Sequence, residues 1–139
     1  MDLKIVAFDN KNSPEIIRIR TKVFIEEQGV DKTIEIDGRD DDALHALVLN
    51  TNTAIATARI LEDGHIGRIA VLKEFRKQGA GALALKAMME VTAKRGDKRV
   101  FLSSQTQATG FYLKMGFRIY GDTFLDAGIE HINMEYFIS

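Results

Sequence analysis

The stretch FRKQGAGALALKAMM, Phe75 to Met89, opens with two positive charges, thins into glycine and alanine, and continues as a helix-forming apolar run. Read as a helix from about Gly79 to a stop at Gly96, with Lys94 and Arg95 against its negative end, it carries almost no side chains on its first turn. A helix start leaves backbone N–H groups unpaired beside the positive end of the macrodipole, so an anion settles there readily. Gly79 and Gly81 lack a β-carbon and let a phosphate approach the main chain, while Arg76 and Lys77 add charge at the rim. The competing reading is that small residues merely let this helix lie close to a sheet. The glycines alone do not choose between the two.

Two familiar phosphate patterns fare worse. No G-x-x-x-x-G-K-[ST] spacing is present, which removes a Walker loop. Gly79-Ala80-Gly81-Ala82-Leu83-Ala84 does satisfy G-x-G-x-x-A, as a nicotinamide-dependent oxidoreductase would. Yet the preceding strand ends near Leu72, and the next, RVFLSS, has no terminal acid for a ribose.

Upstream, Leu3 to Phe8 reads as a strand, and Ser13-Pro14-Glu15 as the start of a helix that Gly29 stops. Val30 to Asp42 is polar and reads mostly as loop. Ala43–Leu49, Ala54–Leu61 and His65–Leu72 read as three strands joined by short turns, hence an antiparallel meander. Downstream follow a strand at Arg99–Ser104, a short helix at Ala108–Met115 closed by Gly116, a strand at Phe117–Tyr120, and a last strand in which Ile132, Met134 and Tyr136 alternate with His131, Asn133 and Glu135. Strand, helix, three strands, helix, strand, helix, two strands is an α/β (α+β) order, expected to form one central sheet flanked by helices.

The chain has 139 residues, 45% hydrophobic and 28% charged, which suits one domain over residues 1–139 with a sizeable core. A formal charge of -1 gives no global pull toward nucleic acid or an acidic membrane. Without cysteine there is no thiolate nucleophile and no Cys-based metal site, and no metal is expected. The opening MDLKIVAFDN lacks a secretory apolar run, so a cytoplasmic protein is expected.

Arg76-x-x-Gly79-x-Gly81 resembles the acyl-CoA signature of the GNAT superfamily of N-acetyltransferases. Gln105-x-x-Ala108-x-x-Phe111-Tyr112-x-Lys114-x-Gly116-Phe117, thirty residues on, is similar to that superfamily's second motif. Arg20-x-x-Val23-Phe24-Ile25-x-Glu27-Gln28-Gly29-Val30, Asp37, Ala43-x-His45, and Phe124-Leu125-x-x-Gly128-Ile129-x-His131-Ile132-x-Met134 resemble the small bacterial ElaA-like group, over nearly the whole chain. Two departures stand out: Gln105 where the superfamily often has asparagine, and Glu130 where this group commonly has proline.

The resemblance implies a GNAT-like mixed sheet splayed between the fourth and fifth strands, with acetyl-CoA as co-substrate in the gap. Amides of Gln78, Gly79, Ala80, Gly81 and Ala82 would hold its pyrophosphate. Main-chain groups of Ala70 and Val71 would pair with its pantetheine arm, and Arg76, Lys77, Gln105, Phe111 and Lys114 complete the expected cofactor site. The activity implied is direct transfer of an acetyl group to a primary amine of a small molecule in a ternary complex. Alternatives are a non-catalytic acyl-CoA-binding sensor and an enzyme acting on protein or peptide amines. No nucleic acid or membrane partner is expected, and a homodimer is compatible with the sequence.

By the same resemblance Tyr112 would protonate the departing thiolate; otherwise it is a core aromatic beside Phe111. A tyrosine, with its ordinary pKa near ~10, suits proton donation better than abstraction at neutral pH. His131 is the candidate base, since imidazole as a residue type titrates in the neutral range; its alternative is a histidine hydrogen-bonded under a loop. Arg20 and Glu27, seven apart on the first helix, share a face and are expected to line the acceptor site. His45 is a further acceptor-site candidate, although its place in LHALVL reads as a core histidine. His65 reads as solvent-facing. Glu26, Glu27, Asp37 and Asp40-Asp41-Asp42 could attract a cationic amine, or, for the triple aspartate, simply be solvated.

Overall fold

In the computed structural model, residues 1–138 form two antiparallel sheets that meet at one point. The first has the order β1 (Asp2–Ala7), β2 (Leu44–Asn50), β3 (Thr53–Ile60), β4 (Ile66–Val71). The second has the order β5 (Arg99–Gln105), β7 (Ile129–Phe137), β6 (Arg118–Asp126). The meander β2–β3–β4 is therefore as expected, but the single central sheet is divided. A parallel bridge between His65 and Phe101 joins the halves, and beyond it β4 and β5 diverge. The splay falls between the fourth and fifth strands.

Gly64 makes the junction. At φ +92 a β-carbon there would lie 2.7 Å from the carbonyl oxygen of Arg99, closer than any side chain tolerates. The Gly64 carbonyl in turn accepts from the amide of Phe101 at 3.1 Å. Only glycine lets the two chains approach this closely at the apex.

The helices sit on both faces of the first sheet. Helix α1 (Ser13–Arg20) starts with Pro14 and Glu15 in its first turn, as the sequence suggests, but its cap residue is Asn12. The Asp9 carboxylate organises the entry by accepting from the amides of Lys11 and Asn12 at 3.1 and 2.8 Å. From Thr21 to Glu27 the helix widens to π winding, with Gln28 N–H donating to the Val23 carbonyl at 3.2 Å. The expected loop contains a one-turn helix α2 (Lys32–Glu35), capped by Asp31, and a 3₁₀ turn at Asp40–Asp42. Ile16 and Ile19 of α1 and Val23 of the π-wound turn are buried against Leu47, Ala54, Ala70 and Leu72.

On the opposite face lies α3 (Ala80–Arg95), ended by Gly96 in the left-handed conformation. Ala84, Leu85 and Met88 are fully buried against Val48, Ala56, Ile60 and Ile66, and the same core runs on to Val100, Leu102 and Met134 of the second sheet. Burial of that size contributes roughly 1.5–3 kcal/mol per large side chain. Helix α4 (Thr109–Lys114) follows β5. Strand β6 continues six residues past the expected end at Tyr120, because a bulge between Tyr120 and Phe124 absorbs the polar residues 121–123 and restores pairing with β7.

Candidate active site

The cleft between β4 and β5 opens into a cavity of about 840 Å³. Four elements supply its chemistry. The first is the start of α3. Gly79 has φ +90 with open space around its α-carbon, and Leu83 is the first amide of the helix to find a partner, the Gly79 carbonyl at 3.0 Å. The N–H groups of Ala80, Gly81 and Ala82 thus have no acceptor among the described residues. Gly79, Ala80, Gly81 and Ala82 all line the cavity, beside Lys77 and Arg76. Ala80, Ala84 and Ala87 are buried as well, so the small residues serve close packing and the open helix start at once.

The second element is the C-terminal half of β4, where Ala70 and Val71 line the cleft. Arg68 and Ile69 stand opposite the single residue Ala58, because pairing resumes from Arg59–Gly67 to Thr57–Ala70. The bulge lies in the β3–β4 ladder; on its other side β4 is the edge strand of its sheet, unpaired toward β5 beyond the His65–Phe101 bridge.

The third is α4. Tyr112 and Phe111 line the cavity, and Tyr112 packs edge-on against both Phe111 and Phe117. Burial in this aromatic setting pushes the Tyr112 phenol up to about 12, so it stays protonated throughout the neutral range. The fourth is β7, where His131 lines the cavity opposite Gln105 of β5. The Ile129 carbonyl can only accept, so at 2.7 Å it fixes the proton on His131 Nδ1 and leaves Nε2 as an acceptor.

An acyl-CoA fits these features: three unpaired amides for phosphate, a free strand edge for the amides of its arm, and a protonated phenol in the same cleft. Among its relatives is YjcF, an uncharacterised N-acetyltransferase of Bacillus subtilis, 34% identical over 134 residues that cover 94% of this chain and 96% of that one. The model of the acetyltransferase (GNAT) domain matches residues 9–138. The chain belongs to the GNAT acetyltransferase family.

Solved GNAT structures carry the same architecture. An acyl-CoA N-acyltransferase from Pseudomonas aeruginosa superposes with a TM-score of 0.86 at 25% identity, covering 97% of this chain and 99% of that one. Escherichia coli ElaA superposes with a TM-score of 0.86 at 26% identity, with the same coverage.

Within this GNAT cleft some expected residues are elsewhere. Arg20 was expected on the acceptor wall, but it is 2% exposed, bonded to Glu35 at 2.5 Å and Asp40 at 2.6 Å, and does not line the cleft. A guanidinium on the buried face of α1 needs carboxylate partners, and these draw it inward. His45 is a core histidine: Nε2–H donates to the Asp40 carbonyl at 3.1 Å, and Nδ1 is buried without a partner. Burial therefore holds its pKa below the ordinary value.

Glu27 also fails to line the cleft, since Arg76 clasps its carboxylate; Arg76 borders the cavity with its charge already matched. Lys114 is exposed on α4 and Gln78 exposed before α3, and neither side chain lines the cavity. The remaining expected lining residues are present, with Gln105 donating to the Gln28 side chain at 2.9 Å.

His65 was expected to face solvent. Instead it stacks on Phe101 at 4.9 Å between ring centres and lines the cavity, and burial lowers its pKa. Arg68, Gln28, Glu35, Ser103 and Asp126 are lining residues that the sequence reading missed. The only available signal was Gly67-Arg68 inside a strand, since glycine in such a run marks a bulge.

Proposed function

We propose that the protein is a cytoplasmic, acetyl-CoA-dependent N-acetyltransferase that passes an acetyl group directly to the primary amine of a small molecule in a ternary complex. One observation carries this reading: the unpaired amides of Ala80–Ala82 open onto the same cleft as the protonated phenol of Tyr112. Bound there, acetyl-CoA would supply the thioester whose acyl group is transferred. Ala80, Gly81 and Ala82 donate to its phosphates, with Gly79 keeping the approach clear, and the free edge at Ala70 and Val71 orients its arm.

Tyr112 holds its proton at Oη until the sulfur leaves, and burial keeps that phenol protonated at neutral pH. His131 receives the proton of the incoming amine at Nε2, the tautomer being set by the Ile129 carbonyl. Phe111 and Phe75 give the cofactor side of the cleft an apolar lining. Without cysteine no thiol acyl-enzyme forms, and no serine sits in a nucleophile motif, which supports direct transfer.

The reading is tested by thermal stabilisation with acetyl-CoA and by thiol release across a panel of amines and peptides. Stabilisation with thiol release for small amines is expected. Stabilisation without any thiol release would make the protein an acyl-CoA-binding module, and acetylation of peptides alone would move the acceptor to a protein amine.

A further inference from the structure

Arg68 has a conformation and a set of contacts that the transfer step does not use. It occupies the left-handed region, φ 51, within the β4 bulge. Glycine takes this conformation at little cost, while a branched or long side chain there is strained by roughly 1–3 kcal/mol. An arginine in that place is explained by its side chain.

The side chain belongs to a cluster of three arginines and three carboxylates. Arg20 takes Glu35 at 2.5 Å and Asp40 at 2.6 Å, and Arg59 holds Asp37 at 2.8 Å and Asp40 at 3.1 Å. Arg68 is left with the long contacts, 3.3 Å to Asp37 and 3.6 Å to Glu35. Its Nε and Nη2 donate to the Glu35 carbonyl at 3.3 and 3.0 Å. Its Nη1 has no partner among the described residues and is not one of the buried, unsatisfied atoms. Arg68 lines the cavity and is one-quarter exposed. Burial and the neighbouring Arg59 both press against its charge, so the site favours an added anion.

The surrounding wall includes Phe24, Val30 and Ile34, with the acid Glu35 already engaged by Arg20. Across the cleft, Asp126 from the second sheet is an exposed carboxylate suited to the ammonium form of an acceptor. Opposite charges on opposite walls suit a zwitterion.

We propose that the acceptor is an amine that also carries an oxyanion, carboxylate or phosphate, and that Arg68 Nη1 holds that oxyanion. This rests on the transferase reading above and adds the acceptor class. A guanidinium–oxyanion contact is charge-assisted, and its loss commonly costs tenfold or more in affinity.

The test compares 4-aminobutyrate with n-butylamine, and O-phosphoethanolamine with ethanolamine, by thiol release from acetyl-CoA and by calorimetric binding to the protein loaded with coenzyme A. At least one compound bearing the oxyanion should exceed its partner lacking it about tenfold or more, and the pair that does so distinguishes carboxylate from phosphate. Arg68→Gln should bring that ratio close to one, mainly through KM, and Arg68→Lys, which keeps the charge, should retain part of it. Equal handling of both members in both pairs, or a preference that survives Arg68→Gln in folded protein, overturns the oxyanion site while the transferase reading stands. If Arg68→Gln does not fold, Arg68→Gly, which suits φ 51 and also removes the charge, replaces it, and a preference that survives Arg68→Gly overturns the site equally. Failure of the protein to bind acetyl-CoA removes both.

Discussion

Arg76 clasps Glu27 through both terminal guanidinium nitrogens, at 2.5 and 2.6 Å, although the two residues are 49 apart in sequence. Arg76 Nε also donates to the Val71 carbonyl at 3.0 Å. The π-wound end of the first helix is thereby tied to the loop before α3. The contact holds Glu27 below the ordinary carboxylate range and raises Arg76.

Both partners are about one-third exposed, so the pair adds little to stability. Glu27→Gln should therefore leave the melting temperature nearly unchanged. It releases a guanidinium that still reaches its Val71 anchor, beside the proposed diphosphate site. Acetyl-CoA binding should tighten about two- to fivefold at low salt, and the gain should vanish near 0.5 M salt as screening grows. Calorimetry at two ionic strengths checks this, and weaker binding at low salt would show that the tether matters more than the charge.

Two glycines in the loop should behave differently. Gly79→Ala forces a side chain into φ +90, a strain of about 1–2 kcal/mol, and should lower both stability and acetyl-CoA affinity. At Gly81 an added β-carbon would meet Val71 and Phe111 at 3.5 and 3.8 Å, ordinary contact distances. Gly81→Ala should be stable, with up to ~1 kcal/mol gained from helix propensity. Denaturant unfolding with and without acetyl-CoA separates the two.

Tyr112→Phe should lower kcat by about 10² or more while the Kd for acetyl-CoA stays within about twofold, because only a proton donor is removed. With the phenol pushed up to about 12, no loss of rate between pH 6 and 9 should trace to its ionisation. A basic limb that disappears in Tyr112→Phe would contradict this. An unaltered kcat would remove Tyr112 from the chemistry.

Stability should fall in two steps as pH drops. His45 and His65 both have lowered pKa values because burial disfavours their charged forms. Below about pH 6.5 the unfolded chain binds protons that the fold refuses, so stability present above that pH is progressively lost. At Asp37 and Asp40 burial opposes ionisation, but the hydrogen bonds of Arg59 and Arg20 override it and hold both carboxyls low. Their contribution is present above about pH 4 and is lost below it. Melting temperature measured from pH 8 to 3 should show both declines, and His45→Gln should make the slope between pH 7 and 5 shallower. An unchanged slope would show that His45 is not the source.

The cofactor half of the site was more legible than the acceptor half, for a physical reason. A phosphate cradle is local: Gly79, Gly81 and the helix they open lie within a few residues, and Tyr112 sits on one short motif with Gly116 and Phe117. The acceptor wall is assembled from the π-wound turn after α1, α2, β4, β5, β6 and β7, and its charges sort by pairing. Arg20 and Glu27, expected to share a helix face and line the acceptor site, both lie off the cleft: one is drawn into the core by Glu35 and Asp40, the other, on the π-wound turn, out to Arg76. His65, placed beside a turn by its neighbours in sequence, is buried by Phe101, a residue thirty-six positions away.

Alternation, turn chemistry and glycine spacing were enough to determine the order of the strands and the three main helices, the antiparallel meander and the helix start that faces the cleft, because each depends on contacts within a few residues. The division into two sheets at Gly64 and the bulge that presents Arg68 were decided only by tertiary structure, as was the choice of which carboxylate each arginine takes. Strand divergence and charge pairing depend on which distant groups arrive first at hydrogen-bonding distance, and that information is carried by packing.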